Sequence, residues 1–151
     1  MNKKLWMNLL VLLTAVCAIS LTAAAQERAM SCENGGRNGD RANSCVIREQ
    51  PLVATGSLAV DGKKNGGVSV KGWDQGGVLI RAKVQAWADT KEEADAIVGQ
   101  IRVVTDAGVH AEGPETENRR GWSVSYEVFV PRNTSLSLKT HNGGISIADV
   151  R

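Results

Sequence analysis

Two histidines are the side chains in this sequence best suited to acid–base chemistry. His110 and His141, with a serine and an acid such as Asp149, are the candidates for a nucleophile, a base and an orienting group. Neither the spacing of a nucleophile elbow nor that of a metalloprotease occurs around them. His110 follows Val109 in an alternating pattern, and His141 precedes an Asn-Gly-Gly turn, so both are expected at the surface. We therefore predict no catalytic residues and a protein that is not an enzyme.

Patterns that bind cofactors or metals are also missing. Gly66-Gly67 and Gly76-Gly77 lie in predicted turns, without a Lys-Ser/Thr pair or a helix after them. Glu33 and Asp40 alone are poor ligands for a soft metal, and the spacing of a calcium loop does not occur around them. The sequence therefore predicts neither a cofactor nor a bound metal.

The first 25 residues have the form of an export signal. Lys3 and Lys4 precede a mostly apolar stretch, and Ala23-Ala24-Ala25 provides a small-x-small cleavage pattern before Gln26. The alternatives are a permanent anchor, for which the apolar run is short, and a lipid on Cys17. We predict a signal peptide at 1–25 and an exported protein of the periplasm or cell surface, with membrane contact only through the uncleaved signal.

Two cysteines remain after the signal, in a compartment that permits disulfides. The segment between Cys32 and Cys45 is polar and rich in glycine, so a bridge would restrain an otherwise flexible loop. We expect this disulfide in a polar leader at 26–50. Without Lys3 and Lys4 the chain has 16 basic and 16 acidic side chains, which gives no reason to expect a nucleic-acid partner.

Apolar and polar residues alternate over most of the chain after Cys45, which is typical of strands with one buried face. The longest runs are Val78 to Ala88 and Trp122 to Val130. Shorter ones include Leu58 with Val60, Val68 with Val70, Val109 with Ala111, Leu136 with Leu138, and Ile145 with Ile147. The sequence therefore predicts a mainly β domain at 51–151.

One segment has the period of a helix instead. Ala94, Ile97, Val98 and Ile101 form a single apolar face. Thr90-x-x-Glu93 has the form of a capping box at its beginning. We predict a helix from about Lys91 to Gln100 that covers one face of the sheet.

A phrase is repeated in the two halves of the domain. Asn65-Gly66-Gly67 leads into Val-Ser-Val, and Asn142-Gly143-Gly144 leads into Ile-Ser-Ile; each is preceded by a Ser-Leu strand. Asn-Gly supplies positive φ at low cost and is a strong hairpin signal. Repeated strand–turn–strand units can also stack into a ladder in which each unit covers the next.

Tryptophans offer the best candidates for surface contacts. Trp73 stands beside Asp74 at a strand end, and Trp87 has the polar-facing parity of its strand. Such side chains can stack on sugars or anchor a protein partner. The alternative is that both pack under the helix or a loop. Trp122 has the buried parity and is expected in the core.

Two linked phrases resemble a known family: "GSLAVDGKKNGGVSVKGWDQGGVLIRAKVQAWADT" and "WSVSYEVFVPRNTSLSLKTHNGGISIADVR", behind a cysteine-bearing leader. They are similar to bacterial exported adhesin-like domains, which are related to toast-rack β-repeat domains. The resemblance covers about Val46 to Arg151. It implies a β-solenoid or toast-rack-like stack of strands with one covering helix. In that family the second phrase leads into further rungs, so the resemblance also implies a fragment or a truncated member.

The function implied by the resemblance is that of a non-enzymatic interaction module of the cell envelope or surface. Its partner would be an envelope or surface protein or a glycan, but "adhesin-like" is a name given by analogy. A periplasmic scaffold or sensor in envelope-stress signalling is the alternative, and a cell-wall hydrolase is a third. Edge-to-edge self-association is also open, because Ile145 and Ile147 need a neighbour to cover them.

Overall fold

The computed structural model describes residues 29–33 and 40–151; the predicted signal peptide at 1–25 lies outside them. Within the described ranges the chain forms nine strands and one helix. In chain order these are β1 (Ala42–Val53), β2 (Ser57–Asp61), β3 (Val68–Trp73), β4 (Gly77–Ala88), α1 (Lys91–Gln100), β5 (Arg102–Val104), β6 (Val109–Glu112), β7 (Gly121–Pro131), β8 (Ser135–Lys139) and β9 (Ile145–Ala148). The prediction of a mainly β fold is confirmed.

The strands form two mixed sheets, and neither sheet is closed. The order is β1-β4-β7-β3-β9 in the five-stranded sheet and β5-β6-β2-β8 in the four-stranded sheet. β1 and β4 pair with their neighbours in antiparallel fashion, whereas β7, β3 and β9 run parallel to one another. In the other sheet β6, β2 and β8 are parallel, and β5 is antiparallel to β6. Each parallel part therefore contains three strands.

Those parallel strands come from three strand–turn–strand segments of the chain. β6 leads to β7, β2 leads to β3, and β8 leads to β9, with one strand of each segment in each sheet. β2 pairs with β8 from Ser57 opposite Ser135, and β3 pairs with β9 from Val68 opposite Ile145. The two repeated phrases therefore lie side by side, with equivalent residues adjacent.

The core lies between the sheets and under the helix. Every second side chain of β4 is buried, from Val78 to Ala88, and β7 shows the same alternation from Val124 to Val130. The buried residues are mostly Val, Ile and Ala, with Tyr126 as the largest. The period of two in the sequence therefore identifies the inner face of the long strands correctly.

The helix α1 forms where the sequence predicts it and packs on β1 and β4. Ala94, Ile97 and Val98 are its buried residues. The Thr90 hydroxyl accepts a hydrogen bond from the Glu93 N–H at 3.2 Å, which satisfies one of the free donors at the beginning of the helix. No basic residue lies in its last turn.

Arg48 of β1 supplies the cation that the helix lacks at its carboxyl end. Its guanidinium donates to the Val98 carbonyl at 2.9 Å and also to the Ile101 carbonyl. A positive charge at this end is favourable for the helix dipole. The bond from Arg48 adds to the longer one that the Val98 carbonyl accepts from the Ile101 N–H at 3.3 Å. Ser44, on the same face of β1, donates to Asp95 at 2.6 Å. β1 thus runs through residues 42–50 of the predicted leader and holds the helix with polar side chains.

Candidate interaction surface

The two predicted repeat turns, Asn65-Gly66-Gly67 and Asn142-Gly143-Gly144, contact each other directly. The Asn142 side-chain amide lies 3.5 Å from Asn65 Oδ1. The Thr140 hydroxyl donates to the Gly66 carbonyl at 2.7 Å and accepts from the Gly143 N–H at 3.1 Å. One hydroxyl therefore links the two turns.

The turns are not hairpins, and our interpretation of Asn-Gly as a hairpin signal is wrong here. β2 and β3 belong to different sheets, as do β8 and β9, so each turn carries the chain from one sheet to the other. Positive φ values occur among the described residues at Gly56, Lys63, Gly108, Asn118 and Asp149. Neither Asn-Gly pair adopts the left-handed conformation that a hairpin turn of this kind requires.

Instead, Gly66 and Gly143, the middle residues of the two turns, allow the stacked backbones to approach closely. A Cβ on Gly143 would lie 2.0 Å from the Gly66 carbonyl oxygen, and a Cβ on Gly66 would lie 2.0 Å from the Val124 carbonyl oxygen. Side chains of any size would push these backbones apart. Gly144 has no atom within 4 Å of its Cβ position. The close contact therefore excludes a side chain at Gly143 but not at Gly144.

One end of the stack is uncovered. We call Leu136, Leu138, Ile145 and Ile147 the open end; these residues lie on β8 and β9, the last strands of the two sheets. They occupy the positions opposite inward-facing residues of β2 and β3, so their side chains continue the apolar interior. Ile145 is 45% and Ile147 55% exposed. No described strand pairs with the outer edge of β8 or β9. A strand edge of this kind can pair with another strand.

Trp73 and Asp74 lie beside the far end of β9. The Trp73 indole packs on Phe129 with ring centroids 5.4 Å apart, and its N–H donates to the Gly77 carbonyl at 2.9 Å. Asp74 accepts two hydrogen bonds from Arg132, at 2.7 and 3.3 Å. These bonds hold the pKa of the Asp74 carboxyl below its usual value and raise the pKa of Arg132. Asp74 is therefore engaged with Arg132 and does not accompany the indole as a free carboxylate.

Trp87 does not join Trp73 in one site. Both side chains are half-buried on the outer face of the five-stranded sheet, but at opposite ends of β4. The ten residue steps from Gly77 to Trp87 span about 33 Å at the rise of a strand. Trp87 lies against Gly121 and under the guanidinium of Arg41, which is 5.9 Å from the ring centroid. Neither tryptophan lies under the helix.

A cleft of about 750 Å³ lies near Trp87, between the turn after β2 and the loop before β7. Trp122 lines it together with Trp87. The Trp122 ring packs partly on the core, as its parity predicts, and its N–H donates to the Pro114 carbonyl at 2.9 Å. The indole N–H of Trp122 is thus used within the protein.

The two histidines have ordinary surface surroundings. His110 Nδ1 lies 3.3 Å from the Gly108 carbonyl, and Nε2 lies 3.6 Å from the Glu112 carboxylate. The side chain of His141 is exposed in the turn after β8. Among the hydrogen bonds of the described residues, none joins either imidazole to a serine. The carboxylate of Asp149 forms an ion pair with Arg132 at 3.9 Å.

Cys32 and Cys45 form the expected disulfide, with their Cα atoms 5.7 Å apart. Such a bond fits an oxidising compartment. In residues 29–33 and 40–151, no group of three or more His, Cys, Asp or Glu side chains is placed to hold a metal. No helix in the same part of the chain is long and apolar enough to cross a membrane.

Comparison with known proteins finds no matching family model, no matching curated protein and no matching solved structure.

The sequence patterns did not identify Arg48, Arg132 and Thr140. Arg48 bonds to the end of the helix, Arg132 binds Asp74, and Thr140 links the two stacked turns. Their partners lie 50 or more residues away along the chain. No local spacing therefore reveals them. Thr140 could have been singled out only by assuming that the two turns stack, since its hydroxyl then lies beside Gly66.

Proposed function

We propose that the protein is a non-enzymatic interaction module of the cell envelope or surface, which binds a partner by adding the partner's strand to the open edges of β8 and β9. The open end carries this proposal: apolar side chains that face the interior are left 45% and 55% exposed at Ile145 and Ile147. Strand addition combines main-chain hydrogen bonds with pockets for alternate side chains, and an edge of this kind offers both.

The finer fold assignment belongs to the same proposal. We infer that the three parallel pairs, β6 with β7, β2 with β3 and β8 with β9, are rungs of a toast-rack-like ladder. The in-register stacking of the repeated phrases supports this, as does the close packing of Gly143 on Gly66. The resemblance to adhesin-like exported domains supports the same assignment, and the disulfide supports an exported location in the periplasm or at the cell surface.

A pair of matched variants tests the surface. Ile147→Lys places a charge on the open end, whereas Val53→Lys makes the same apolar-to-basic change at the end of β1, where the side chain is 87% exposed. The assay measures binding of the purified protein to envelopes isolated from its native cells. We expect Ile147→Lys to weaken this binding by about tenfold or more, because the added strand would bury an ammonium group. Val53→Lys should bind like wild type.

The chemical nature of the partner is tested in the same assay. Strand addition requires a polypeptide, so protease treatment of the envelopes should abolish binding, and enzymatic removal of glycans should leave it unchanged. Circular dichroism of both variants controls for folding. Equal binding by Ile147→Lys and wild type would overturn the proposal, as would binding that survives proteolysis.

A further inference from the structure

We propose that a second copy of this chain fits the open end, in a two-fold dimer that continues both sheets across the contact. This inference rests on the proposed function, because it names a partner for the same surface. Its basis is the direction of the free backbone groups together with the sequence symmetry of the two edge strands.

The free backbone groups of the edges can be assigned. Val68 donates to the Gly144 carbonyl and Ser135 donates to the Gly56 carbonyl, both at 2.9 Å. Backbone direction alternates along a strand, so Gly144 and Ser146 face β3, and the N–H and C=O of Ile145 and Ile147 point away from it. By the same alternation Leu136 and Leu138 of β8 point away from β2. The outward backbone groups thus belong to the residues of the open end.

Both edges have a palindromic sequence about a serine. β9 contains Ile145-Ser146-Ile147, and β8 contains Leu136-Ser137-Leu138. A two-fold axis through Ser146 places Ile145 opposite Ile147 of the second copy in an antiparallel pair. Because both residues present their backbone groups outward, they can exchange two hydrogen bonds. An axis through Ser137 does the same for the two leucines.

One axis can serve both sheets. Ser137 and Ser146 are each separated by three residues from the His141-Asn142 pair in the turn. β8 and β9 leave this turn with the same rise per residue, and we therefore infer that the two serines lie at the same level of the stack. A single two-fold rotation therefore pairs β8 with β8 and β9 with β9.

The side chains of such a contact are compatible. The isoleucines and leucines of both copies would close the interior between the sheets. Ser146 lies on the outer face, where its hydroxyl donates to Ser69 at 3.0 Å, and it would lie opposite Ser146 of the second copy. Lys139, the only charged residue of β8 and β9, would lie opposite Ser135, so no like charges meet.

The contact is also self-limiting. The opposite edges of the two sheets are β1, with 12 residues, and β5, with 3 residues, so they match neither the length nor the symmetry of β9 and β8. A contact between identical surfaces closes after two copies, whereas head-to-tail addition would continue. The symmetry therefore predicts a dimer.

Cysteine cross-linking tests the axis. Two residues opposed across a non-hydrogen-bonded antiparallel position have Cα atoms about 4.5 Å apart, within the range of a disulfide. Ser146→Cys should therefore form a covalent dimer under mild oxidation. Ala148→Cys, on the same face and strand, would lie opposite Gly144 and should remain uncross-linked. Ser137→Cys should cross-link if the four-stranded sheet also continues. The wild-type chain, in which Cys32 and Cys45 form a disulfide, is the control for cross-links through other cysteines.

Sedimentation of the full chain at micromolar concentration measures the dimer without cross-links. We expect a dimer for wild type and Val53→Lys, and dimerisation weakened by about tenfold or more for Ile147→Lys. A monomeric wild type, equal cross-linking of Ser146→Cys and Ala148→Cys, or open-ended polymers would each overturn this inference. A monomer whose envelope binding is still lost in Ile147→Lys would overturn the inference and leave the proposed function standing.

Discussion

β1 and β9 are the two edge strands of the same five-stranded sheet, but they are held in different ways. β1 pairs over its full length with β4, carries the disulfide at Cys45 and binds the helix through Ser44 and Arg48. β9 is four residues long, and all four of its side chains are exposed. Its described side-chain hydrogen bond is the one from Ser146 to Ser69.

This difference indicates which of the two edges can pair with another strand. On the inner face of β1, Ser44 and Arg48 bond to the helix and Gln50 bonds to Thr105. The position of β1 therefore depends on side-chain bonds between distant segments. The inner residues of β9 are apolar and need only another apolar surface. An apolar edge such as β9 is stabilised by any strand that covers it, because exposed aliphatic area is removed from water. Interaction is therefore expected at β9 rather than at β1.

The largest effect is expected where stacked turns touch. Gly66→Ala would place a Cβ 2.0 Å from the Val124 oxygen and 2.5 Å from the Gly62 oxygen, with backbone on both sides of it. We expect a loss of roughly 3 kcal/mol in the free energy of unfolding, because neither backbone can move away. Urea denaturation, monitored by tryptophan fluorescence, measures it.

Gly143→Ala sharpens the comparison, because its Cβ would meet the Gly66 oxygen at the same 2.0 Å. No described strand lies beyond the turn of Gly143, so it can shift outward, and we expect a smaller loss of about 1 to 2 kcal/mol. Gly144→Ala, with open space around its Cβ position, is the matched control and should change stability by less than about 0.5 kcal/mol. Equal losses at Gly66 and Gly143 would show that the open end is as rigid as the interior of the stack.

The next effect concerns the other edge. Arg48→Met keeps an apolar stem but removes the donors to the Val98 and Ile101 carbonyls, so that Val98 keeps the longer bond of 3.3 Å from the Ile101 N–H and loses the charged donor. We expect a loss of about 2 kcal/mol, since hydrogen bonds from a charged group are among the stronger ones. Thermal unfolding measures it.

Arg102→Met is the matched control for Arg48→Met. The Arg102 side chain is exposed and makes a surface ion pair with Glu112 at 3.1 Å, so its replacement should cost less than about 0.5 kcal/mol. Similar small effects for both variants would contradict the idea that β1 is held through the end of the helix.

Local patterns in the sequence predict most of the strands, because the inner residues of β4, β7 and β3 are apolar and alternate with a period of two. The strand β1 does not show this apolar alternation. Its inner positions include Ser44, Arg48 and Gln50, which are polar because they contact polar groups of other segments. β5 has only 3 residues, too few for a pattern.

The candidate surface could be predicted only in part. The repeated phrase and the need to cover Ile145 and Ile147 are visible in the sequence, and the structure places the second copy, with both isoleucines, at the edge of the stack. The passage of each turn from one sheet to the other could not be read from Asn-Gly, since the same dipeptide also forms hairpins. The ion pair of Asp74 with Arg132 depends on strand order, which no local spacing encodes.

The smallest effect is expected at Tyr126, which lies in β7, between the antiparallel part of the sheet and the parallel stack. Its side chain is buried, and its hydroxyl has no hydrogen-bond partner among the described residues. Burial, with a smaller contribution from the negative charge of Asp61, raises the pKa of Tyr126 well above its usual value. The folded protein therefore keeps the phenol neutral, whereas the unfolded chain ionises above a pH of about 10. Because the pKa is raised on folding, the stability it contributes is present below that pH and is lost as the pH rises further.

Tyr126→Phe should remove this part of the alkaline destabilisation and should raise stability at neutral pH by about 1 kcal/mol, since a buried hydroxyl without a partner is unfavourable. Urea titrations of both proteins at neutral and alkaline pH measure the difference, and since the chain has 1 tyrosine, phenolate absorbance reports on this residue alone. Ionisation of the folded protein near the usual pKa would show that water reaches the ring, and that the sheet opens at the junction of its two parts rather than at β9.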